Sequence, residues 1–470
     1  MYGHWPGKAT VAPELTTARW LRRVDREGGP IYLAILRALE TAIGEGELLP
    51  GEQLPPQRTV AGVLGVDFTT VTRAYSAARA RGLVEGAVGR GTFVAGRPAD
   101  DEVGMIDLSM NLPPPPKGLN FAALLKETAR AVLERTDAQA LMAYHPGAGS
   151  IAQKAAAAAW LAPCLGEISP ERMLITPGAQ TALATILGMI MRRGEALIVE
   201  PLTYPGVRAL AAHLGLRLVV CSVDSQGFVP EDLARLCAEE RPKAIYCIPT
   251  LQNPTATTMG LERRQQVAGI ARAAGVAIIE DDAYGRLPIE PLPALATFAP
   301  DLTWYVATTS KCLSPGLRTA FVAAPSPAAA RDLAEALRAI SLMASPLTAA
   351  IATAWIREGA AERLLAAIRA EATDRQAIAR SILPQATGEA DGIHLWLDLP
   401  DHWPGERLRE VAHRQGLSLV TADAFAAGPV HRNGLRISLG GPAKSSVLAQ
   451  ALHGVAAILA ARPGDTRLIV

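Results

Sequence analysis

Residues 308–318 read Thr308-Thr309-Ser310-Lys311-Cys312-Leu313-Ser314-Pro315-Gly316-Leu317-Arg318. A lone lysine follows a run of hydroxyls, precedes a Pro-Gly turn and has an arginine seven residues further on. A lysine that forms a Schiff base must be partly desolvated, so that its neutral amine is accessible near neutral pH. The hydroxyls of Thr308 and Ser310 and the guanidinium of Arg318 suit a phosphate ester, which accepts several hydrogen bonds and favours a bidentate cationic partner. Lysine and phosphate cradle together point to pyridoxal 5'-phosphate. A surface Ser-Lys beside an ordinary turn is the alternative, and the rest of a cofactor site has to decide between them.

Outward from this stretch, short β-rich runs alternate with helical patterns. The runs are Arg172–Thr176, Ala196–Val199, Arg217–Val220, Ala244–Ile248, Val276–Ile279, Thr303–Val306 and Thr319–Ala323, with helices expected over Ala179–Met191 and Leu261–Ala274 among others. Such alternation predicts an α/β fold, a mostly parallel sheet with helices on both faces, and ligand chemistry at the strand ends. Polar landmarks stand there. Thr176-Pro-Gly178-Ala179-Gln180 opens a helix whose first amides would face an anion. Tyr204 follows the next strand on a turn, where its ring could stack on a flat heterocycle or simply pack in a loop. Asn253 precedes a proline. Asp281, at a strand end, could pair with a protonated pyridine nitrogen, and Tyr284 comes three residues later.

A different pattern occupies residues 19–95, after a loose arm over 1–18. Ile31, Ile35, Leu36, Leu39 and Ile43 recur at helical spacing until Gly44, Gly46, Pro50 and Gly51 stop them. A second short helix carries Val60, Ala61 and Leu64 and ends at Gly65. Asp67 can cap a third, with Val71, Ala74, Tyr75 and Ala78 on its apolar side. The run Val88–Val94 reads as a tight hairpin. This is a winged helix-turn-helix, with Thr69, Thr70 and Arg73 on the outward N-terminal side of the second helix of the motif. Residues 58–90 hold Arg58, Arg73, Arg79, Arg81 and Arg90 against Asp67 and Glu85, a local surplus of three positive charges. The whole chain is close to neutral, with 46 Lys+Arg against 45 Asp+Glu, so any nucleic-acid contact must be local. Residues 96–106, rich in Gly, Pro and acid, read as a linker, and 107–470 as the α/β domain.

The five cysteines are scattered and odd in number, which argues against a disulfide framework and a zinc site and for a reducing compartment. No metal site is expected. The N-terminal residues lack the apolar run of a signal peptide, and no stretch of ~18 apolar residues occurs, so a cytoplasmic protein without membrane contact is expected.

Residues 19–95 resemble the DNA-binding domain of the GntR family through Leu54-Pro55, Arg58, Leu64-Gly65-Val66, Thr69-Thr70-Val71, Arg73-Ala74-Tyr75, Gly82-Leu83-Val84 and Gly89-Arg90-Gly91-Thr92-Phe93-Val94. The chain departs from that pattern at Pro56 and at Phe68, where the family usually carries an arginine. Residues 107–470 resemble fold type I aminotransferases through Gly178-Ala179-Gln180, Thr203-Tyr204-Pro205-Gly206, Gln252-Asn253-Pro254-Thr255, Asp281-Asp282-Ala283-Tyr284 and the Lys311 stretch, in that order. The resemblance implies a large PLP-binding domain with a small C-terminal α/β subdomain. It implies that Lys311 carries the cofactor, Asp281 pairs with the ring nitrogen, Asn253 and Tyr284 bond the ring 3-oxygen, and Tyr204 stacks on the ring. Gly178, Ala179, Gln180, Thr308, Ser310 and Arg318 would hold the phosphate, and Arg436 a substrate or effector carboxylate. Tyr144 matches a residue that reaches the phosphate of a neighbouring subunit, although the Leu-Arg usual after the glycine is replaced by Ile151-Ala152.

The two halves together resemble the MocR family of bacterial regulators. That resemblance implies a homodimer, double-stranded promoter DNA contacted through Arg58, Thr69, Thr70, Arg73, Gly89 and Arg90, and a small amine or amino-acid effector, or the cofactor itself, as the signal. Reaction of the effector with the lysine-bound cofactor would alter promoter binding. A catalysing aminotransferase that carries a winged-helix appendage stays open as the alternative.

Overall fold

A computed structural model describes residues 19–25, 29–44, 47–48, 51–87, 91–95, 105–145, 147–429 and 432–461. The arm expected over 1–18, most of the linker over 96–106, and Gly89 and Arg90 lie outside the described residues. The chain divides into two units, Met1–Val103 with Asn120–Leu124, and Gly104–Leu119 with Leu125–Val470. No helix among the described residues is long and apolar enough to cross a membrane.

In the first unit, helices α1 (Ile31–Gly44), α2 (Gln57–Leu64) and α3 (Phe68–Ala80) precede antiparallel strands β1 (Val84–Ala87) and β2 (Gly91–Val94). The sequence periodicity is the burial pattern. Ile35, Leu36 and Leu39 of α1, Val60, Ala61 and Leu64 of α2, and Val71, Ala74, Tyr75 and Ala78 of α3 share one core with Trp20, Val84 and Val94. Gly65 ends α2 at φ 60°, a left-handed cap that carries no Cβ penalty in glycine. The first strand of the hairpin starts at Val84, earlier than the Val88 expected from the Gly-rich run, because Val84 pairs with Val94 and fills the core.

In the second unit seven strands form the central sheet. Their spatial order is Met173–Thr176, Ala320–Ala323, Thr303–Thr308, Ala277–Asp281, Ala244–Cys247, Ala196–Val199 and Arg217–Val220. All neighbours run parallel except Ala320–Ala323, which is antiparallel to both of its partners. The central strands are buried along their length, as a sheet covered on both faces requires. Boundaries differ from the sequence reading by up to two residues. Asp281 and Thr308 extend their strands because ladder pairing continues through them.

A smaller antiparallel sheet, His394–Asp398, Gly434–Ser438 and Val420–Thr421 in that order, packs with the helices Ala360–Ile382, Gly405–Arg414 and Ser445–Ala460 around a second core. The segment that enters the domain is tied to this body. Ile106–Asp107 pairs in parallel with Leu417–Ser418, so paired structure begins at Ile106, the last residue of the expected linker. Leu108 then accepts the Ser438 amide at 2.9 Å. A Cβ at Gly440 would lie 1.8 Å from the Leu112 carbonyl oxygen, so only glycine lets segment 108–113 lie this close. That approach delivers Asn111 to the pocket described next.

Candidate functional site

The ends of the central strands supply the polar groups. At Glu280-Asp281-Asp282 the alternation of a strand sends neighbours to opposite faces. Glu280 turns back to accept the Leu295 and Ala296 amides, both at 2.9 Å, and Asp282 accepts the Tyr305 hydroxyl at 2.7 Å. Asp281 faces the other way. Its Oδ2 accepts the Tyr246 hydroxyl at 2.7 Å, while its buried Oδ1 has no partner among the described residues. Burial pushes its pKa up to about 6, against the Tyr246 hydrogen bond and the Lys311 charge, so it remains an anion at neutral pH.

Lys311 lies on the four-residue helix Thr309–Cys312, directly after the strand Thr303–Thr308. Its Nζ donates to the Asn111 carbonyl oxygen. Burial, the Arg436 charge and the Arg318 charge bring its pKa down to about 8, against the pull of Asp281. The neutral amine is therefore a substantial species near neutral pH. On the same turn the hydroxyls of Thr308 and Ser310 are buried and 2.9 Å apart.

Gly178, at φ 87°, caps the helix Ala179–Ile190, and a Cβ there would lie 2.7 Å from Arg318 Nη2. The Arg318 guanidinium thus sits against the N-terminus of that helix, where free amides already favour an anion. Gln180 donates to the Gly206 carbonyl at 3.1 Å and keeps a buried, unpartnered Oε1. Tyr204 caps the helix Pro205–Leu214, and a Cβ at Gly206 would lie 2.2 Å from its ring, so glycine there gives the ring its position. Burial and Asp281 raise the Tyr204 pKa, and Arg318 opposes them.

Arg436, from the strand Gly434–Ser438, is buried. It donates to Asn253 Oδ1 at 2.7 Å and to the Ser109 carbonyl, lies over the Phe425 ring at 5.1 Å, and has an unpartnered Nε. Tyr284 is buried and accepts a hydrogen bond from Asn111 Nδ2 at 2.9 Å. These contacts and charges tie Lys311, Asp281, Tyr284, Asn253, Arg436, Tyr204, Gln180, Gly178 and Arg318 into one cluster. Tyr144 is apart from this set and 79% exposed.

Sequence reasoning missed the supports. Arg264 is fully buried and donates to the Pro249, Met259 and Pro293 carbonyls and to Thr250 Oγ1, which pins the loop that carries Asn253 and its cis Asn253-Pro254 bond. Gln252 donates to Glu200 and to the Leu202 carbonyl. Glu200 is buried below this loop with its pKa pushed up to about 8. Asn111 and His394 were also missed. Each is a single polar residue in an apolar context, and only the close approach of distant segments gives it meaning.

In the first unit the Asp67 carboxylate caps α3, accepting the Thr69 amide at 2.8 Å and also the Thr69 hydroxyl. Thr69 therefore keeps its oxygen lone pairs, not its proton, for any outside partner. Arg58 and Arg73 are exposed, and Arg73 lies over the Tyr32 ring at 4.2 Å. Arg81 pairs with Glu40, which reduces the local charge surplus. Phe68 opens α3 and is 45% exposed, so that corner is apolar rather than cationic.

Comparison with known proteins joins the two units. Residues 31–94 match the family of bacterial regulatory proteins, gntR family, and residues 103–452 match aminotransferase class I and II. An uncharacterized HTH-type transcriptional regulator, YdeF, of Bacillus subtilis (strain 168) is 31% identical over 92% of this chain and 95% of its own length. The probable rhizopine catabolism regulatory protein MocR of Rhizobium meliloti is 29% identical over 64% of this chain and 67% of its own. Among solved structures, LysN, an α-aminoadipate aminotransferase of Thermus thermophilus complexed with N-(5'-phosphopyridoxyl)-L-leucine, superposes with a TM-score of 0.69. It is 27% identical and covers 76% of this chain and 92% of its own. With a gntR-family winged helix leading into an aminotransferase class I and II domain, the chain belongs to the MocR-type transcriptional regulators.

Proposed function

We propose that this regulator binds pyridoxal 5'-phosphate in the pocket around Lys311 and that reaction of an amine or amino acid there changes its hold on double-stranded promoter DNA. The observation that carries the reading is Asp281 Oδ1, a buried carboxylate oxygen without a hydrogen-bond partner among the described residues, within electrostatic reach of a lysine of lowered pKa. An orphaned buried anion is costly unless a cation completes it. A pyridinium nitrogen is such a cation. The Gly178 and Arg318 corner, with Thr308 and Ser310, suits the phosphate, and the face of Tyr204 suits the ring. Bound there, the cofactor would supply an aldehyde for attachment and a ring that draws electrons from an attached amine.

The protein's own residues do the rest. Lys311 would provide the attaching amine, Asp281 would hold the ring nitrogen protonated, and Asn253 and Tyr284 would serve the ring oxygen. Arg436 would exchange its contacts to Asn253 and Ser109 for an effector carboxylate. Two subunits would present two winged helices to two half-sites, with Arg58, Thr69, Thr70 and Arg73 of each toward the DNA. Tyr144, exposed on the single chain, would serve the partner's site. Absorption spectra of the cofactor-loaded protein, titrated with amines and amino acids, test the reading. A subset should shift the visible band, whereas a protein that stays colourless after incubation with the cofactor refutes it.

Attachment should also depend on pH. The nucleophile is the neutral amine, so the rate of band growth in apoprotein should fall about tenfold per unit below the Lys311 value of about 8, and level off above it. A rate flat from pH 6 to about 9 would mean that the lysine is not the attacking group. The intact pocket also supports a catalysing aminotransferase. Steady turnover with a 2-oxo acid acceptor, at ~1 s⁻¹ or faster, would favour that second reading.

A further inference from the structure

His394, Asn111 and Tyr284 form a chain whose hydrogen positions can be deduced. His394 is fully buried and neutral. Its pKa is brought down to about 3 by burial and by the Arg436 and Lys311 charges, so it carries one N–H only. Its Nε2 lies 3.1 Å from the Gln252 carbonyl oxygen, which can only accept, so the hydrogen is on Nε2 and Nδ1 is a bare acceptor. Nδ1 lies 3.2 Å from the Asn111 amide. Only the NH2 end of that amide can serve it, which fixes an orientation that an isolated asparagine leaves ambiguous. The second hydrogen of the same nitrogen then goes to Tyr284 Oη at 2.9 Å. Tyr284 is an acceptor in this bond, and its own hydroxyl hydrogen is left to point elsewhere. Asn111 is 4% exposed, and its Oδ1 has no partner among the described residues.

The structure assigns Asn111 as a positioning residue that, oriented by His394, makes Tyr284 a one-way donor toward the ring oxygen of the cofactor. The assignment rests on the cofactor reading above. Had Asn111 presented its oxygen to Tyr284, the phenol would spend its hydrogen on the amide and turn lone pairs toward the ring oxygen. The carbonyl of Gln252 excludes that arrangement two links away. A hydrogen bond received by Tyr284 also strengthens the one it gives.

The test is the pH midpoint of the visible band of cofactor-loaded protein, in a double-mutant cycle between Asn111 and Tyr284. Asn111→Leu keeps the branched shape and removes the donors, and Asn111→Ala guards against a packing effect of the larger leucine. Either should raise the midpoint by about half a unit to one unit, a three- to tenfold change in the ionisation constant. In a Tyr284→Phe background the same replacements should leave it unmoved. Arg436, Asp281, Tyr204 and Lys311, the charged and titratable groups that act on Tyr284 and His394, are unchanged in every variant. An unshifted midpoint with Tyr284 present, or an equal shift in the Tyr284→Phe background, overturns the assignment alone. A wild-type protein that acquires no band overturns the cofactor reading and the assignment with it.

Discussion

Lys311→Ala protein incubated with pyridoxal 5'-phosphate is expected to lose the visible band of the wild type completely. The substitution removes the amine and leaves Asp281, Arg318 and the Gly178 corner in place. Some cofactor should therefore still bind without a covalent link, with its affinity reduced and its spectrum that of the free aldehyde. The side chain sits among Arg436, Arg318 and Asp281, and the first two disfavour its charged form. Its removal relieves the burial of a charge and that repulsion, but it also takes a counter-charge from Asp281 and a donor from the Asn111 carbonyl, so a thermal melt of the variant separates a chemical loss from unfolding. Any response of DNA affinity to added amines should vanish. A visible band that persists in the alanine protein would mean that another lysine holds the cofactor.

The second large effect concerns the winged helix. Arg58 and Arg73 are exposed on the unit that carries α3. Each phosphate neutralised releases condensed counterions, and each contributes ~0.9 to the slope of log affinity against log salt. The double variant Arg58→Ala, Arg73→Ala should therefore lower that slope by about two and weaken binding to operator and unrelated DNA alike by about 10- to 100-fold. Thr69→Val should behave differently. The Thr69 hydroxyl is already committed to Asp67, so the change should loosen the start of α3 by about 1 kcal/mol as well as disturb any base contact. An unchanged salt slope in the arginine variant, measured by titration at several ionic strengths, would show that these side chains do not reach phosphates.

Much of this was legible in the sequence because the signals are local. The periodic apolar residues of α1 to α3 are the buried ones, and the β-rich runs are the strands of the central sheet, since both read out the requirement to bury one face. Lys311, Asp281 and Asn253 stood out because turn and strand-end chemistry surrounds them. What escaped was long-range. Asn111 sits in Met110-Asn111-Leu112, with no local hint of a role, and acquires one only when the segment reaches Tyr284 and His394, 173 and 283 residues away in sequence. Arg264 looks like a surface helix residue in Glu262-Arg263-Arg264-Gln265, yet it is fully buried because four acceptors from three segments converge on it. The linker likewise ends at Ile106 through pairing with Leu417, a partner that no window of sequence around it could reveal.

The central claim is that occupancy of one pocket is felt by the other unit. Coupling requires that the two states of the DNA-binding form differ in how they bind the effector, and a factor of about 100 in affinity corresponds to ~2.7 kcal/mol. The direct measurement is the affinity of the full-length protein for DNA from its own upstream region, at one salt concentration, in three forms: without cofactor, with cofactor, and with cofactor plus an amine that shifts the band. The account predicts that at least one form differs from the others by about 10-fold or more. Equal affinity in all three would contradict it.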